Sequence, residues 1–402
     1  MAATPKELHI TVSDPIHVQD GMNKYTAYHI HLNPNTNSNA SYRQDEDVGV
    51  NYFSAGGGAV LRRYSDFCWL VERFQTERGG AIVPPLPEKQ PVNRFNPMFV
   101  AQRAAMLQVF LNEVYVHPEL YDAECLHTFL RADEGTFALA KRQAEHEKQA
   151  QGGLGNIAKW FGGGNAGHVP KQQTQEDLIM AQLGNDLKEW EVQIKSVLTH
   201  SQKLVKKSKE IANGYFEMGL AFSLLGQSES DVLGRALTRM GQSSDKISII
   251  TAEHSEKEFS NYETPLSYYL KVVHSARSAV KCRLEAKEYY YFKLSEVNKN
   301  QSSLEKNRNR PGKEEKFYHT QGVLRRVQEE SEIALNNYNA INQRVMREMD
   351  RFKRETEVQM KKIIREYVAL QAEYYKKIED IWSVLIRTLE EEKEEEAVVA
   401  GA

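Results

Sequence analysis

A small α+β domain followed by an all-α region of three long antiparallel helices is the fold the sequence predicts. Three observations carry it. Leu8–Ser13 and Tyr25–Leu32 alternate apolar and polar side chains with the period of a strand. From about residue 174 onward, apolar residues instead recur at steps of three and four. Helix breakers there are few: Gly226–Gly234, Pro265 and Arg310-Pro311-Gly312.

The first strand, Leu8–Ser13, is expected to stop at Asp14-Pro15, because proline cannot donate to a ladder. A turn at Asp20-Gly21 leads into the second, Tyr25–Leu32. Val48–Phe53 and Ala59–Leu61 predict the third strand of an antiparallel sheet, interrupted at Gly56–Gly58. The polar insert 33–47 carries no motif. Helices are predicted over Asp66–Glu77, with Phe67, Leu70 and Phe74 on one face. Two more follow, Pro97–His117, with Met106, Leu107, Phe110, Leu111 and Val114, and Ala123–Leu130. This places a first domain at residues 1–135. Residues 136–173 read as a linker: Ala138–Gln151 is charged and helix-prone, and Gly152-Gly153 and Gly162–Gly164 bracket a short apolar stretch. Residues 174–402 form the helical domain. Its stripes are Leu183, Leu187, Trp190, Ile194 and Val197; then Tyr269, Val273, Ala276 and Val280; then Met360, Ile364, Tyr367, Tyr374, Ile378, Ile381 and Leu385. A last helix from Lys313 to the glutamates near 396 would be about 120 Å long, too long for a globular core. Three such helices make a thin core, so dimerisation is the natural way to bury the remaining apolar side, and Trp190 and Trp382 read as core or dimer interface.

Composition excludes several function classes. The net charge of −3 over 402 residues is not that of a uniformly basic nucleic-acid binder. Cys68, Cys125 and Cys282 are too scattered for a zinc or redox motif and read as free thiols in a reducing compartment. The N-terminus shows no signal peptide and no run of ~18 apolar residues occurs, so any membrane contact is peripheral. The chain lacks G-x-x-x-x-G-K-[ST], HExxH, GxSxG and kinase signatures, and its 12 histidines are scattered. No enzyme activity, cofactor or metal is predicted.

One cluster does carry chemistry. Arg62-Arg63-Tyr64-Ser65-Asp66-Phe67 is followed by Pro84-Pro85-Leu86-Pro87-Glu88-Lys89 and by Arg103 in a helical stretch. Arginine's planar fork suits a phosphate monoester, an aromatic face suits a sugar-like ring, and a lysine on a flexible stem reaches a diester. Ser65 stands where an N-cap is expected, so helix amides there could also face an anion. The prolines would hold Lys89 in an extended loop.

With Ser13-Asp14-Pro15, Asp20-Gly21-Met22, Arg103-x-x-x-Leu107, Phe110-Leu111 and His117-Pro118, these motifs make residues 8–131 resemble a PX (phox-homology) domain. The helical half resembles a BAR domain, and the whole resembles the PX-BAR sorting nexins, in particular their retromer-associated branch. That resemblance implies phosphatidylinositol 3-phosphate, or a 3,5-bisphosphate, as ligand. Arg63 would bind the 3-phosphate, Tyr64 would stack under the inositol ring and Ser65 would add a contact to the same phosphate. Lys89 would meet the 1-phosphate, Arg103 the 4- and 5-hydroxyls, and Arg62 would give electrostatic support. The implied role is a non-enzymatic adaptor in endosomal sorting. It would be cytoplasmic and peripheral on endosomal membranes, and would dimerise with itself or another PX-BAR sorting nexin and work with retromer subunits. The alternative is a coiled-coil tether whose PX-like domain binds protein cargo.

Two further membrane contacts are expected. Leu154, Ile157, Ala158 and Phe161 lie on one helical face beside Trp160, a pattern suited to lipid insertion. Basic clusters recur at Lys203–Lys209, Lys281-Arg283-Lys287 and Arg325-Arg326. Another, Lys306, Arg308, Arg310 and Lys313, brackets the Pro311-Gly312 turn as a membrane-facing tip.

Overall fold

The computed structural model describes residues 8–20, 23–34, 59–89, 95–150, 174–229, 231–308 and 314–400. It divides into two compact units, Met1–Asn185 with His274–Asp350, and Asp186–Val273 with Arg351–Ala402.

The first unit contains an antiparallel sheet of order β1-β2-β3, formed by β1 (Leu8–Asp20), β2 (Asn23–Pro34) and β3 (Val60–Arg63). β1 does not stop at Asp14-Pro15. A bulge between Ser13 and Ile16 takes up the proline, and Asp14 adopts a left-handed φ of 45°, which aspartate tolerates better than most residues. The ladder then resumes through Asp20↔Asn23. β3 runs on to Arg63 rather than ending at Leu61, pairing Tyr28↔Arg62 and Ala27↔Arg63. The predicted segment Val48–Phe53 lies outside the described residues.

Against the sheet pack α1 (Tyr64–Glu77), α2 (Pro97–Val116), α3 (Glu124–Arg131) and α4 (Glu134–Ala150). Their core joins Ile10, Val12, Tyr28 and Ile30 to Phe67, Leu70, Phe74, Leu107, Phe110, Leu111, Val114, Phe129 and Phe137. Met106, expected in this core, is exposed, and Val100 and Ala104 take the inward positions. α2 also covers the free edge of β1: Asn112 Oδ1 and Gln108 Oε1 accept the amides of Ile10 and Val12, each at 3.0 Å. The expected linker begins later than residue 136, because α4 is anchored to α1 by Arg73–Glu147 and Lys148–Glu72 and buries Phe137.

The helical half comprises α5 (Gln175–Ser228), α6 (Asp231–Glu258), α7 (Thr264–Asn307) and α8 (Glu314–Ala400). α6 and α7 are joined by a π turn, Phe259–Glu263. Pro265 therefore does not break the helix. The wider turn absorbs its missing amide and its ring. The helices run antiparallel in each unit. In the first, Gly184 lies against Val280 and Asp177 pairs with Arg283 and Lys287, while Lys293 pairs with Glu330. In the second, Trp190 meets Tyr269 and Ser201 meets Glu263, while Tyr262 packs on Tyr367 and His254 on Tyr374.

Candidate functional site

Strand alternation separates the two arginines of β3. Arg62 points inward and is 2 % exposed. Its Nε donates to Phe129 O at 2.9 Å, Nη1 to Leu61 O at 2.9 Å and Nη2 to Ala132 O at 2.6 Å. The guanidinium sits 4.1 Å from the Phe137 ring centroid, and burial pulls its pKa down to about 10 against the opposing pull of Asp66. The supporting electrostatic role expected of Arg62 is thus replaced by a structural one: it ties β3 to the end of α3 and the start of α4.

Arg63 points outward and is exposed. Its guanidinium lies 5.2 Å from the Tyr25 ring centroid and its Nε 3.7 Å from Asp66 Oδ1. Arg63, not Ser65, is the N-cap residue of α1. The Asp66 carboxylate accepts the Arg63 amide at 2.9 Å and receives Lys141 Nζ at 2.8 Å. Ser65 is exposed in the first turn, where helix amides lack intrahelical partners.

Tyr64 opens α1 half-buried, and its hydroxyl donates to Pro87 O. Burial, with a contribution from Cys68, pushes its pKa up to about 12, against Arg103. Arg103 reaches back from α2 with its guanidinium 4.5 Å from the Tyr64 centroid and 4.3 Å from that of Phe99. Its Nη2 donates to Glu88 O at 3.0 Å, whereas its buried Nε has no hydrogen-bond partner among the described residues. Lys89 is exposed at the end of the proline loop, close enough to Cys68 to oppose the rise that burial imposes on that thiol.

Tyr64, Arg103 and the 87–89 segment therefore converge at one mouth, and Arg63 stands beside Tyr64 at the junction of β3 and α1. A buried guanidinium with a spare donor, next to an exposed lysine, has donors of the kind that bind anions strongly. Sequence reading missed Tyr25, Phe99 and Asp66. Tyr25 was findable: it lies diagonal to Arg63 across the β2–β3 pair, on the same face.

On α5, two heptad rows run side by side. Leu187, Ile194, Leu198, Val205 and Ala212 are buried, whereas Trp190, Val197, Leu204, Ile211 and Leu225 are 43–59 % exposed. The single stripe expected from sequence thus splits into a packed row and an open one. In the C-terminal stripe of α8 the expected Leu385 is buried together with Ile363 and Leu370, while the expected Ile364 is exposed beside Val368 and Tyr375. Lys203, Lys206, Lys207 and Lys209 are exposed, as are Lys306 and Arg308. Arg283 and Lys287 do not form a surface cluster. They are buried on Asp177, whose carboxyl, against the opposing effect of burial, is held far below the carboxylate range by the bonds from Lys287, Thr174 and Arg283. Arg325 and Arg326 pair with Glu329 and Glu330. Leu154, Ile157, Trp160 and Phe161, and Arg310 and Lys313, lie outside the described residues. Among the described residues no helix is long and apolar enough to cross a membrane.

Residues 50–133 match the family model for the PX domain, and residues 164–388, more than half of the chain, match that described as Vps5 C terminal like. Sorting nexin 1 of Arabidopsis thaliana is 28 % identical over 398 residues, covering 95 % of this chain and 92 % of that protein. Vacuolar protein sorting-associated protein vps5 of Schizosaccharomyces pombe is 25 % identical over 76 % of this chain, and human sorting nexin-1 is 23 % identical over 69 %. The matched region spans about half the length of those two relatives, 52 % of each. The cryo-EM structure of the SNX-BAR Mvp1 tetramer aligns with 94 % of this chain and 99 % of its own at a TM-score of 0.62 and 16 % identity, a likeness of fold.

Proposed function

The chain belongs to the sorting nexins that join a PX domain to a Vps5-type BAR domain, which are non-enzymatic adaptors of protein sorting and membrane remodelling, and from that premise we propose that it binds 3-phosphorylated phosphoinositides on endosomal membranes. Phosphatidylinositol 3-phosphate is the expected lipid and the 3,5-bisphosphate the variant. The observation that carries this reading is the convergence of Tyr64, Arg103 and the Pro87–Lys89 segment beside Arg63. Arg63 takes the 3-phosphate with Ser65 beside it, Tyr64 lies against the inositol ring, Arg103 holds ring hydroxyls and Lys89 the 1-phosphate.

The open row on α5 and the exposed Ile364, Val368 and Tyr375 on α8 support dimerisation through the helical half, with a second copy or another PX-BAR sorting nexin. Two headgroup sites on one dimer add through effective concentration, and the exposed lysines of α5 and the Lys306–Lys313 tip add nonspecific attraction to anionic lipid. The linker residues Leu154, Ile157, Trp160 and Phe161 are assigned to lipid insertion. Retromer subunits are the proposed partners in retrograde transport.

Sedimentation with vesicles that do or do not carry the 3-phosphorylated lipid tests the headgroup assignment. Arg63→Ala and Lys89→Ala are each expected to abolish the lipid-specific increment. Undiminished binding by both would sink the assignment and favour a pocket that serves protein cargo.

A further inference from the structure

We propose that Glu348, on α8 in the helical half, is a positioning residue for the headgroup pocket and acts on it through the proline loop. The proposal rests on the headgroup reading above and adds a regulated coupling to it.

The contact is within the first compact unit. Gly79 and Gly80, which follow α1, lie against Ile341 and Val345 of α8 and Cys282 of α7. The approach is close enough to need glycine: Gly80 has φ +87°, and a Cβ there would stand 2.8 Å from Val345 Cγ2. At the rim, Glu119 receives Arg344 Nε at 3.0 Å and Arg347 Nε at 2.8 Å. Arg344 Nη1 also donates to Gly79 O at 2.7 Å. Burial opposes ionisation of Glu119, but the bonds from Arg347 and Arg344 outweigh it and lower its pKa.

At the centre is Glu348, 1 % exposed. Its Oε2 accepts the Ile82 amide at 2.8 Å and lies 3.2 Å from His117 Nε2. His117 Nδ1 accepts the Glu119 amide at 3.2 Å, so the ring proton sits on Nε2, which faces both Glu348 and Ile82 O at 3.1 Å. One side chain of the helical half thus fixes the backbone at residue 82 in both position and orientation.

Residue 82 is where the headgroup loop begins. Val83 leads into Pro84-Pro85-Leu86-Pro87, whose three prolines fix φ and leave little freedom to absorb a displacement. The far end is held by the pocket itself: Pro87 O accepts from Tyr64, and Glu88 O accepts from Arg103 at 3.0 Å. Lys89 follows. The stiff segment is therefore gripped at one end by α8 and at the other by the two residues that line the anion site. Loosening Glu348 moves the Glu88 carbonyl and Lys89 relative to Arg103. By linkage, a headgroup that tightens the far end also tightens the grip at Ile82.

The experiment is titration of the full chain with a short-chain, water-soluble phosphatidylinositol 3-phosphate. Glu348→Ala is expected to weaken binding by about 5-fold or more, a typical coupling size. Glu348→Gln keeps the acceptor and the shape and is expected to restore most of the affinity. Wild-type affinity in Glu348→Ala, or an equal loss in both variants, overturns the positioning role. Should the alanine variant not fold, hydrogen exchange on the wild-type chain decides. The soluble lipid is expected to slow exchange in peptides covering Ala81–Val83 and Ile341–Met349, and unchanged exchange there overturns the coupling. A wild-type chain that does not bind the probe defeats the headgroup reading and this proposal with it. Tight wild-type binding that Glu348 does not influence defeats the coupling alone.

Discussion

In the α+β half, Phe67, Phe110 and Phe129 are fully covered by their own chain, and Tyr64 and Arg103 meet the carbonyls of Pro87 and Glu88 at one mouth. In the helical half, α5 packs one heptad row and leaves Trp190, Val197, Leu204 and Ile211 about half exposed. The difference is geometric. A sheet with helices on one face can enclose its apolar side, whereas a long hairpin of helices has more than one apolar stripe and too few neighbours to cover them. The first half supplies chemical selectivity from a few pre-set groups. The second supplies area, which on the proposed reading a second chain would complete.

The neighbouring arginines of β3 break this comparison most sharply. Arg62→Ala leaves the carbonyls of Phe129 and Ala132 without their donor. It is expected to cost roughly 3 kcal/mol or more of stability, read as a lowered midpoint in urea unfolding. Arg63→Ala, one residue on, is expected to change stability by about 0.5 kcal/mol or less, while vesicle binding falls by a factor of about ten or more, about 1.4 kcal/mol. Similar stability losses in both would show that β3 does not separate the two roles.

The open row is the next test. The double variant Leu204→Lys with Ile211→Lys puts two charges where a partner chain is expected. Light scattering should show self-association weakened about 100-fold, about 2.7 kcal/mol, with unchanged helicity because neither side chain is in the packed row. A dimer that survives would place the interface elsewhere. At the seam, Gly80→Ala meets Val345 Cγ2 and an unfavourable φ, and is expected to lower stability by about 1–2 kcal/mol.

Much of the pocket was legible because its residue types occur in an informative order: cations, an aromatic and a proline loop before a helical arginine. Their orientations were not. Ending β3 at Leu61 hid the alternation that sends Arg62 inward, and placing an N-cap at Ser65 hid the role of Asp66, three residues into the α1 boundary. The heptads of α5 were readable, but two similar rows differ only in what lies against them. Glu348 carried no local signal at all: its partner at Ile82 is 266 residues away in the chain. Motif and periodicity report local chemistry, and contacts made by tertiary packing leave no such trace.

The smallest expected effect concerns the π turn of the second unit. Glu263 is 4 % exposed and accepts Ser201 Oγ at 2.9 Å. Burial raises its pKa above the ordinary 4.5, and Glu258 adds to the rise, against Ser201 and Lys209. The folded state therefore holds this proton more tightly than the unfolded state does. The stabilisation is fully present below about pH 4.5 and is lost as pH rises through the raised folded value. Glu263→Gln fixes the neutral form and keeps an acceptor for Ser201, so the variant should melt higher than wild type at pH 8, with the gap closing as pH falls toward 4.5. Thermal melts of both chains across that range check it, and a wild type more stable at pH 8 would mean that the ionised carboxylate is well paired. Asp66 in the α+β half is buried too, but it has Lys141 at 2.8 Å and the Arg63 amide at 2.9 Å. Glu263 has instead a hydroxyl donor and a second carboxylate nearby, and is held toward its protonated form.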